Sequence, residues 1–168
     1  MGHSSRLIAL AALFSTCQSA GGQEAQIEGV SFKLATRTPT EVYFVSDIKR
    51  GAEPESIEAW IWTITDKPAA SDKPSDTGPA PDVAAQENDA LAQQVVFRCS
   101  GKSIEILRSE YYAHGMLTAA SDKIRPPTTP RAGTPMETVW KTACDYGIRF
   151  KARTIMGLSA AYAAAKQP

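Results

Sequence analysis

Between Ser31 and Asp122 apolar and polar residues mostly alternate with a period of two, the signature of strands with one face in a core. SFKLATR (31–37) and EVYFVSD (41–47) are two short strands of this kind, divided by Thr38-Pro39-Thr40. IEAWIWTIT (57–65) is stronger and different: Trp60, Trp62 and Ile64 share one side, while Ala59, Ile61 and Thr63 share the other. A strand apolar on both sides predicts a central position, covered at least in part on both faces. AQQVVFRC (92–99) and SIEILRSEYY (103–112) flank a short SGK connection and predict a hairpin. A two-residue loop at Gly101-Lys102 pairs Cys99 with Ile104, Phe97 with Ile106 and Val95 with Arg108. A loop at Ser100-Gly101 is the alternative, and it also keeps Phe97 and Ile104 together. Cys99, Phe97, Ile104 and Ile106 then form an apolar face, with Arg98 and Glu105 as a charge pair on the other side. GMLTAAS (115–121) adds one more strand after a turn at His114-Gly115. Short turns between neighbours predict an antiparallel sheet, because parallel neighbours need long crossovers.

The period changes to that of a helix at TPMETVWKTACD (134–145). Thr134 is the expected N-cap, Pro135 occupies N1, and Glu137 at N3 completes a capping box. Met136, Val139, Trp140, Ala143 and Cys144 make one apolar stripe, with Lys141 turned to solvent. Gly147 is the expected stop. A helix this short needs a surface to pack on, and the hairpin's apolar face is that surface. Cys99 then points from a strand toward the helix, and Cys144 points back.

The remaining segments are irregular or terminal. DKPAASDKPSDTGPAPDVAAQENDA (66–90) is rich in Pro, Ala, Ser and Asp and reads as a long flexible acidic loop. RPPTTPRAGTP (125–135) is a second Pro-rich connection, with a Pro127-to-Pro130 spacing that fits a polyproline-II ligand. Ile148 to Ala152 is a candidate edge strand. Arg153 to Lys166 carries Ile155, Leu158 and Tyr162 at helical spacing among many alanines, and predicts a terminal helix packed on the domain.

The N-terminus adds a compartment. Arg6, the apolar run LIALAALF (7–14) and small residues up to Ser19 or Ala20 have the layout of a secretory signal peptide over residues 1–20. A buried N-terminal helix is the other reading. The run is too short to span a bilayer. Cys17 is either the lipid-modified cysteine of a lipoprotein signal, for which Phe14-Ser15-Thr16 is a poor context, or it leaves with the signal. On cleavage after Ser19 or Ala20 the mature chain keeps two cysteines, Cys99 and Cys144, in an oxidising compartment. They allow one pairing, and closing a loop of about 45 residues stabilises by roughly 4 kcal/mol. The expected organisation is a single exported α+β domain over 21–168. It holds an antiparallel β-sheet and a C-terminal helix packed on one face and tied to it by the disulfide.

Five pieces in this order resemble the surface-adhesin protein E family of bacterial exported proteins: VYFVSDIKR (42–50), AWIW (59–62), VVFRC (95–99), EYYAHG (110–115) and TPMETVWKTAC (134–144). They extend from Val42 to Cys144, more than half of the chain. The resemblance implies a strand ending in one cysteine, a tyrosine-glycine stretch, and a Pro-led helix ending in the second cysteine. It also implies adhesion to host extracellular-matrix or plasma proteins, with a place in the periplasm or on the outer-membrane surface. The chain departs from the family at Arg98, where an acidic residue is common, and in its acidic loop and its tail after Cys144. None of the family's binding residues maps onto a position here.

Composition adds exclusions. Lys+Arg and Asp+Glu are equal at 18 each, and 43% of residues are apolar. Balanced charge and export both oppose nucleic-acid binding. Acidic residues gather in 66–92 and basic ones between Arg98 and Arg153, which reads first as a solvated mixed face and second as a tilt toward anionic surfaces. No GxSxG elbow, P-loop, dinucleotide glycine fingerprint or HExxH is present. With His3 lost in the signal, His114 is the one mature histidine, and paired cysteines are not nucleophiles. No cofactor or metal is expected. The leading expectation is a non-enzymatic binding domain, with Tyr43, Tyr111 and Tyr112 as candidate contact residues, although in strands such side chains more often pack half-buried. The alternative is a small periplasmic hydrolase using a carboxylate pair. Loop closure depends weakly on length, so shortening residues 66–90 to a few residues should change unfolding free energy by about 1 kcal/mol or less. Urea titration of the deletion checks this; loss of the folded baseline would mean the segment is structural.

Overall fold

A computed structural model describes residues 27–65 and 88–167. The expected signal segment with Cys17, and the acidic loop as far as residue 87, lie outside them. The last residues expected in that loop are structured, because the Thr65 N–H donates to Asp89 O at 2.9 Å and buried Ala90 opens a strand, so the loop deletion applies to residues 66–87. The described residues form an eight-stranded antiparallel sheet. Its strands are β1 (Ser31–Arg37), β2 (Glu41–Arg50), β3 (Ser56–Thr65), β4 (Ala90–Arg98), β5 (Ser103–Ala113), β6 (Met116–Ser121), β7 (Arg125–Thr128) and β8 (Thr154–Met156). The spatial order is β6-β5-β4-β3-β2-β1-β8, and β7 pairs with the first half of β5. Three helices follow the long strands: α1 (Pro135–Cys144), α2 (Tyr146–Lys151) and α3 (Leu158–Ala165).

β3 is the middle strand, as its two apolar sides require. Ala59 and Ile61 join Val45, Val95, Phe97 and Ile104 in a core closed by Val139 and Ala143 of α1. Trp62 and Ile64 join Phe32, Val42, Phe44 and Tyr112 in the core on the other face, closed by Leu158, Ala161, Ala164 and Ala165 of α3. Each face therefore has its own helical cover. The Trp62 indole N–H, buried on the second face, donates to Ser46 Oγ at 3.1 Å. Cys99 and Cys144 form a disulfide with Cα atoms 5.5 Å apart, which ties the end of α1 to the β4–β5 turn.

Several local expectations need correction. The hairpin takes the register of the Ser100-Gly101 alternative and not that of Gly101-Lys102: Arg98 pairs with Ser103, Phe97 with Ile104 and Val95 with Ile106. The connection spans Cys99 to Lys102, and the positive φ falls on Lys102 at 47°. A bulge then puts Gln94 opposite Arg108. The expected apolar face survives, because Phe97, Ile104 and Ile106 stay on one side. Arg98 reaches Glu105 diagonally at 2.7 Å and also binds Glu53 at 2.9 Å. The Thr134 hydroxyl donates to Arg131 O instead of capping α1, while Glu137 accepts from the Gly133 N–H at 2.8 Å. Gly147 does not stop α1. The chain turns extended at Asp145, and Gly147 lies inside α2.

The Pro-rich connection includes β7, an exposed edge strand where the missing N–H groups of Pro126 and Pro127 are tolerated. Ile148 to Ala152 is not an edge strand. Asp145 accepts the Ile148 N–H at 3.1 Å and starts α2 there instead. The edge strand is β8, two residues later, and the terminal helix begins only at Leu158. Gly157 separates them at φ +83°, where an added Cβ would lie 2.3 Å from Glu28 Oε2. Only glycine combines that backbone angle with that approach.

Trp140 packs on the core that holds Phe97 and Ile106, while Lys141 is exposed. Its indole N–H is buried without a partner among the described residues, so truncation also removes an unfavourable group. Trp140→Ala should cost about 3 kcal/mol, the low end for a core aromatic. Lys141→Ala should cost well under ~1 kcal/mol. Equal small losses in urea titration would mean that α1 does not dock through Trp140.

Candidate functional site

The residues singled out in the sequence do not assemble into a catalytic group. Cys99 and Cys144 are bonded to each other. His114 lies in the β5–β6 turn, with φ +52° there and +81° at Gly115. Its backbone N–H donates to both Asp89 carboxylate oxygens at 3.1 Å, and its exposed imidazole lies 3.4 Å from Asp89. Tyr43, Tyr111 and Tyr112 do not form a joint contact surface; they are packing residues of strands. Tyr43 belongs to the core under α1, whereas Tyr112 belongs to the opposite core. Tyr111, next to Tyr112 in β5, points to the other side of the sheet and is half-buried. The Tyr43 hydroxyl donates to Glu41, and the Tyr112 hydroxyl to buried Glu110 at 2.7 Å.

Three concavities stand out among the described residues. A cleft of about 300 Å³ lies between Glu28, Asp89, His114, Ser159, Tyr162 and Lys166. It holds two carboxylates, and both support the chain. Glu28 accepts the Ser159 N–H at 2.9 Å and its hydroxyl at 2.5 Å, in the first turn of α3. Asp89 braces the β5–β6 turn and accepts the Tyr162 hydroxyl at 2.7 Å. Burial pushes the Tyr162 hydroxyl well above its ordinary pKa, with the Asp89 bond adding to the effect. A second cleft of about 240 Å³ is lined by Trp60, Trp62, Tyr112 and Glu110. Asp47 lines it too, and both carboxylates are engaged: Glu110 is held by Arg108 Nε at 2.8 Å and Asp47 by Lys49 at 2.9 Å. No group of three His, Cys, Asp or Glu among the described residues is arranged to hold a metal ion.

The third concavity is an open trough of about 660 Å³ between the sheet and α2. Ser31 and Lys33 of β1, Asp47 to Arg50 of β2, Ile57 of β3, and Tyr146, Arg149 and Phe150 of α2 line it. Four cations stand against one carboxylate, and that carboxylate, Asp47, is paired with Lys49 at 2.9 Å. Arg50 has no acidic partner within 4.0 Å among the described residues. Tyr146 and Phe150 sit one helical turn apart, with ring centroids 6.2 Å apart and planes 24° from parallel. They are 70% and 74% exposed. The Arg149 guanidinium lies 5.5 Å from the Tyr146 ring centre, and its Nη1 donates to Ala143 O at 3.1 Å. That bond satisfies a carbonyl at the end of α1 and fixes the cation over the ring.

Sequence reasoning missed this place, because it read Ile148 to Ala152 as a strand. The available signal was Asp145 as an N-cap for a second helix, followed by Tyr146 and Phe150 at an i, i+4 spacing. The trough also depends on a bulge in β2. Asp47 has φ 51°, and pairing with β3 shifts between Ser46 and Lys49. Comparison with protein-family models, with curated proteins and with solved structures returned no match. No helix among the described residues is long and apolar enough to cross a membrane.

Glu137 anchors the first turn of α1 to the β4–β5 turn. The Lys102 ammonium at 2.9 Å, then the Gly133 N–H, then Lys141 hold its carboxyl down to about 2. Its folded pKa lies below the unfolded value of about 4.3. The contribution is therefore complete above that value and is lost as pH falls through about 2. Glu137→Gln should flatten this part of the acid limb in urea midpoints measured from pH 5 to pH 2. An unchanged pH slope would show that the Lys102 contact does not persist in solution.

Proposed function

We propose that this chain is an exported, non-enzymatic binding domain of a bacterial cell envelope or surface, as its resemblance to the surface-adhesin protein E family implies. The observation that carries this reading is the trough beside α2. Two large aromatic side chains are left in water there, next to unneutralised cations. Burying such rings on a partner contributes more than most contacts, and interface centres are enriched in Tyr and Arg. The disulfide fits an oxidising compartment and hence export. The partner class on this reading is a host matrix or plasma protein or an envelope component, met in the periplasm or on the outer-membrane surface.

A carboxylate-pair hydrolase is the second reading, and the specific observation for it is that Glu28 and Asp89 line one cleft. Both carboxylates already accept hydrogen bonds that shape α3 and the β5–β6 turn, which favours a structural role for each.

The test is retention of the signal-free protein on immobilised matrix proteins, plasma proteins, envelope fractions and peptidoglycan. Each surface is run against the Tyr146→Ala/Phe150→Ala double variant. At least one surface should retain the wild type and lose roughly 90% of that retention with the variant, about 1.4 kcal/mol. Retention that is the same for both proteins, or absent everywhere, would overturn the reading. Hydrolysis of a peptidoglycan or glycan substrate, abolished by Glu28→Gln, would replace it with the second.

A further inference from the structure

We infer that the ligand of the trough beside α2 is an acidic oligosaccharide, an inference that rests on the binding-domain reading above. Three features of the trough carry it. The first is charge: Lys33, Lys49, Arg50 and Arg149 face a space in which Asp47 is the one acid, itself held by Lys49. Carboxylate, sulfate or phosphate groups would neutralise the surplus, and Arg offers them a planar fork of donors. The second is the aromatic pair. Tyr146 and Phe150 present nearly parallel rings to water. A pyranose ring has a flat side of weakly positive C–H groups, which suits the negative face of an aromatic ring. The third is shape. Lys33 comes from the sheet and Arg149 from the helix, so a ligand that meets both must enter between them. About 660 Å³, open to solvent, is room for several sugar units of a chain that passes through.

The same features weigh against two other anionic partners. A bilayer surface would meet the protruding rings but could not reach between β1 and α2. A six-residue helix is also much shorter than the amphipathic helices that lie in a membrane interface. An acidic peptide would most readily add to the free edge of β8, where backbone groups are open. That edge lies in the plane of the sheet, not in the trough.

The experiment is calorimetric titration of the signal-free protein with four probes at equal concentration. They are a heparin-derived hexasaccharide, a neutral maltohexaose, a poly-glutamate peptide, and vesicles with an anionic lipid fraction. The hexasaccharide should bind, weaken as salt is raised, and bind at least tenfold tighter than maltohexaose and poly-glutamate. Tyr146→Ala/Phe150→Ala and, separately, Lys49→Gln/Arg50→Gln should each weaken it by about tenfold or more. All four side chains lie at the surface, so thermal midpoints should stay near that of the wild type, which separates lost binding from lost folding. Equal binding of poly-glutamate with no effect of the aromatic pair would reduce the trough to a nonspecific cation patch and overturn the inference. Retention on the vesicles alone would overturn it in favour of a lipid surface. No saccharide binding, with aromatic-dependent retention on a matrix or envelope protein, would overturn the inference and leave the binding-domain reading standing. Loss of both would overturn both.

Discussion

The structure depends on one constraint: β3 is apolar on both faces and has to be dry on both. A sheet with one solvated face would leave either Trp62 and Ile64 or Ala59 and Ile61 in water. The sheet alone cannot solve this, so the chain after β7 supplies one helical cover for each side. Burying a large aliphatic or aromatic side chain is worth about 1.5–3 kcal/mol, so an uncovered face would lose several such contributions together. The two covers are short, and neither would hold its conformation in isolation. Each therefore has a separate tether. The disulfide and the Lys102–Glu137 ion pair hold α1 to the β4–β5 turn. The Glu28 carboxylate and two Arg37 hydrogen bonds, to the carbonyls of Ala164 and Ala165, hold the two ends of α3.

Two covers on opposite faces create a routing requirement. The chain leaves α1 on one face and must reach α3 on the other, so it passes around the β1 edge of the sheet. α2 and β8 are that passage. β8 pairs with β1 and closes the edge, and Gly157 turns the chain sharply into α3. α2 fills the distance between α1 and the edge. It has no buried residue of its own, and for that reason its aromatic side chains remain outside the core. The trough lies where the sheet is no longer covered by α1 and α2 stands beside it.

The electrostatics of the trough follow from this route. Three acids around the β4–β5 turn are consumed locally, Glu137 by Lys102, and Glu53 and Glu105 by Arg98. Among the residues that line the trough, Asp47 is the one acid beside four cations, with Glu58 across the strand pair from Lys49. A neutral chain thus acquires a local positive surplus, next to exposed rings, without any excess in its composition. Net charge carried no hint of this place, because it sums over surfaces that never meet.

Much was settled by the sequence itself. The period-two stretches located the main strands. The two-sided apolarity of 57–65 put β3 in the middle, and the capped stripe from Met136 to Cys144 set the phase of α1. These readings rest on local spacing, which backbone geometry converts directly into faces. The cysteine pairing followed from having two thiols on facing elements. Tertiary structure decided what local spacing leaves undetermined. Between the two hairpin registers that alternation allowed, the fold took the one centred on Ser100-Gly101, and a bulge beyond Val95 then shifted the pairing in a way no alternation pattern marks. Residues 148–151 became helix because the Asp145 side chain caps them. Ile155 and Leu158, three apart and consistent with one helix, were divided between a strand and a helix by Gly157. The trough belongs to this second kind of information. Its residues come from β1, β2, β3 and α2, far apart in the chain, and only the path around the sheet edge brings them to one place.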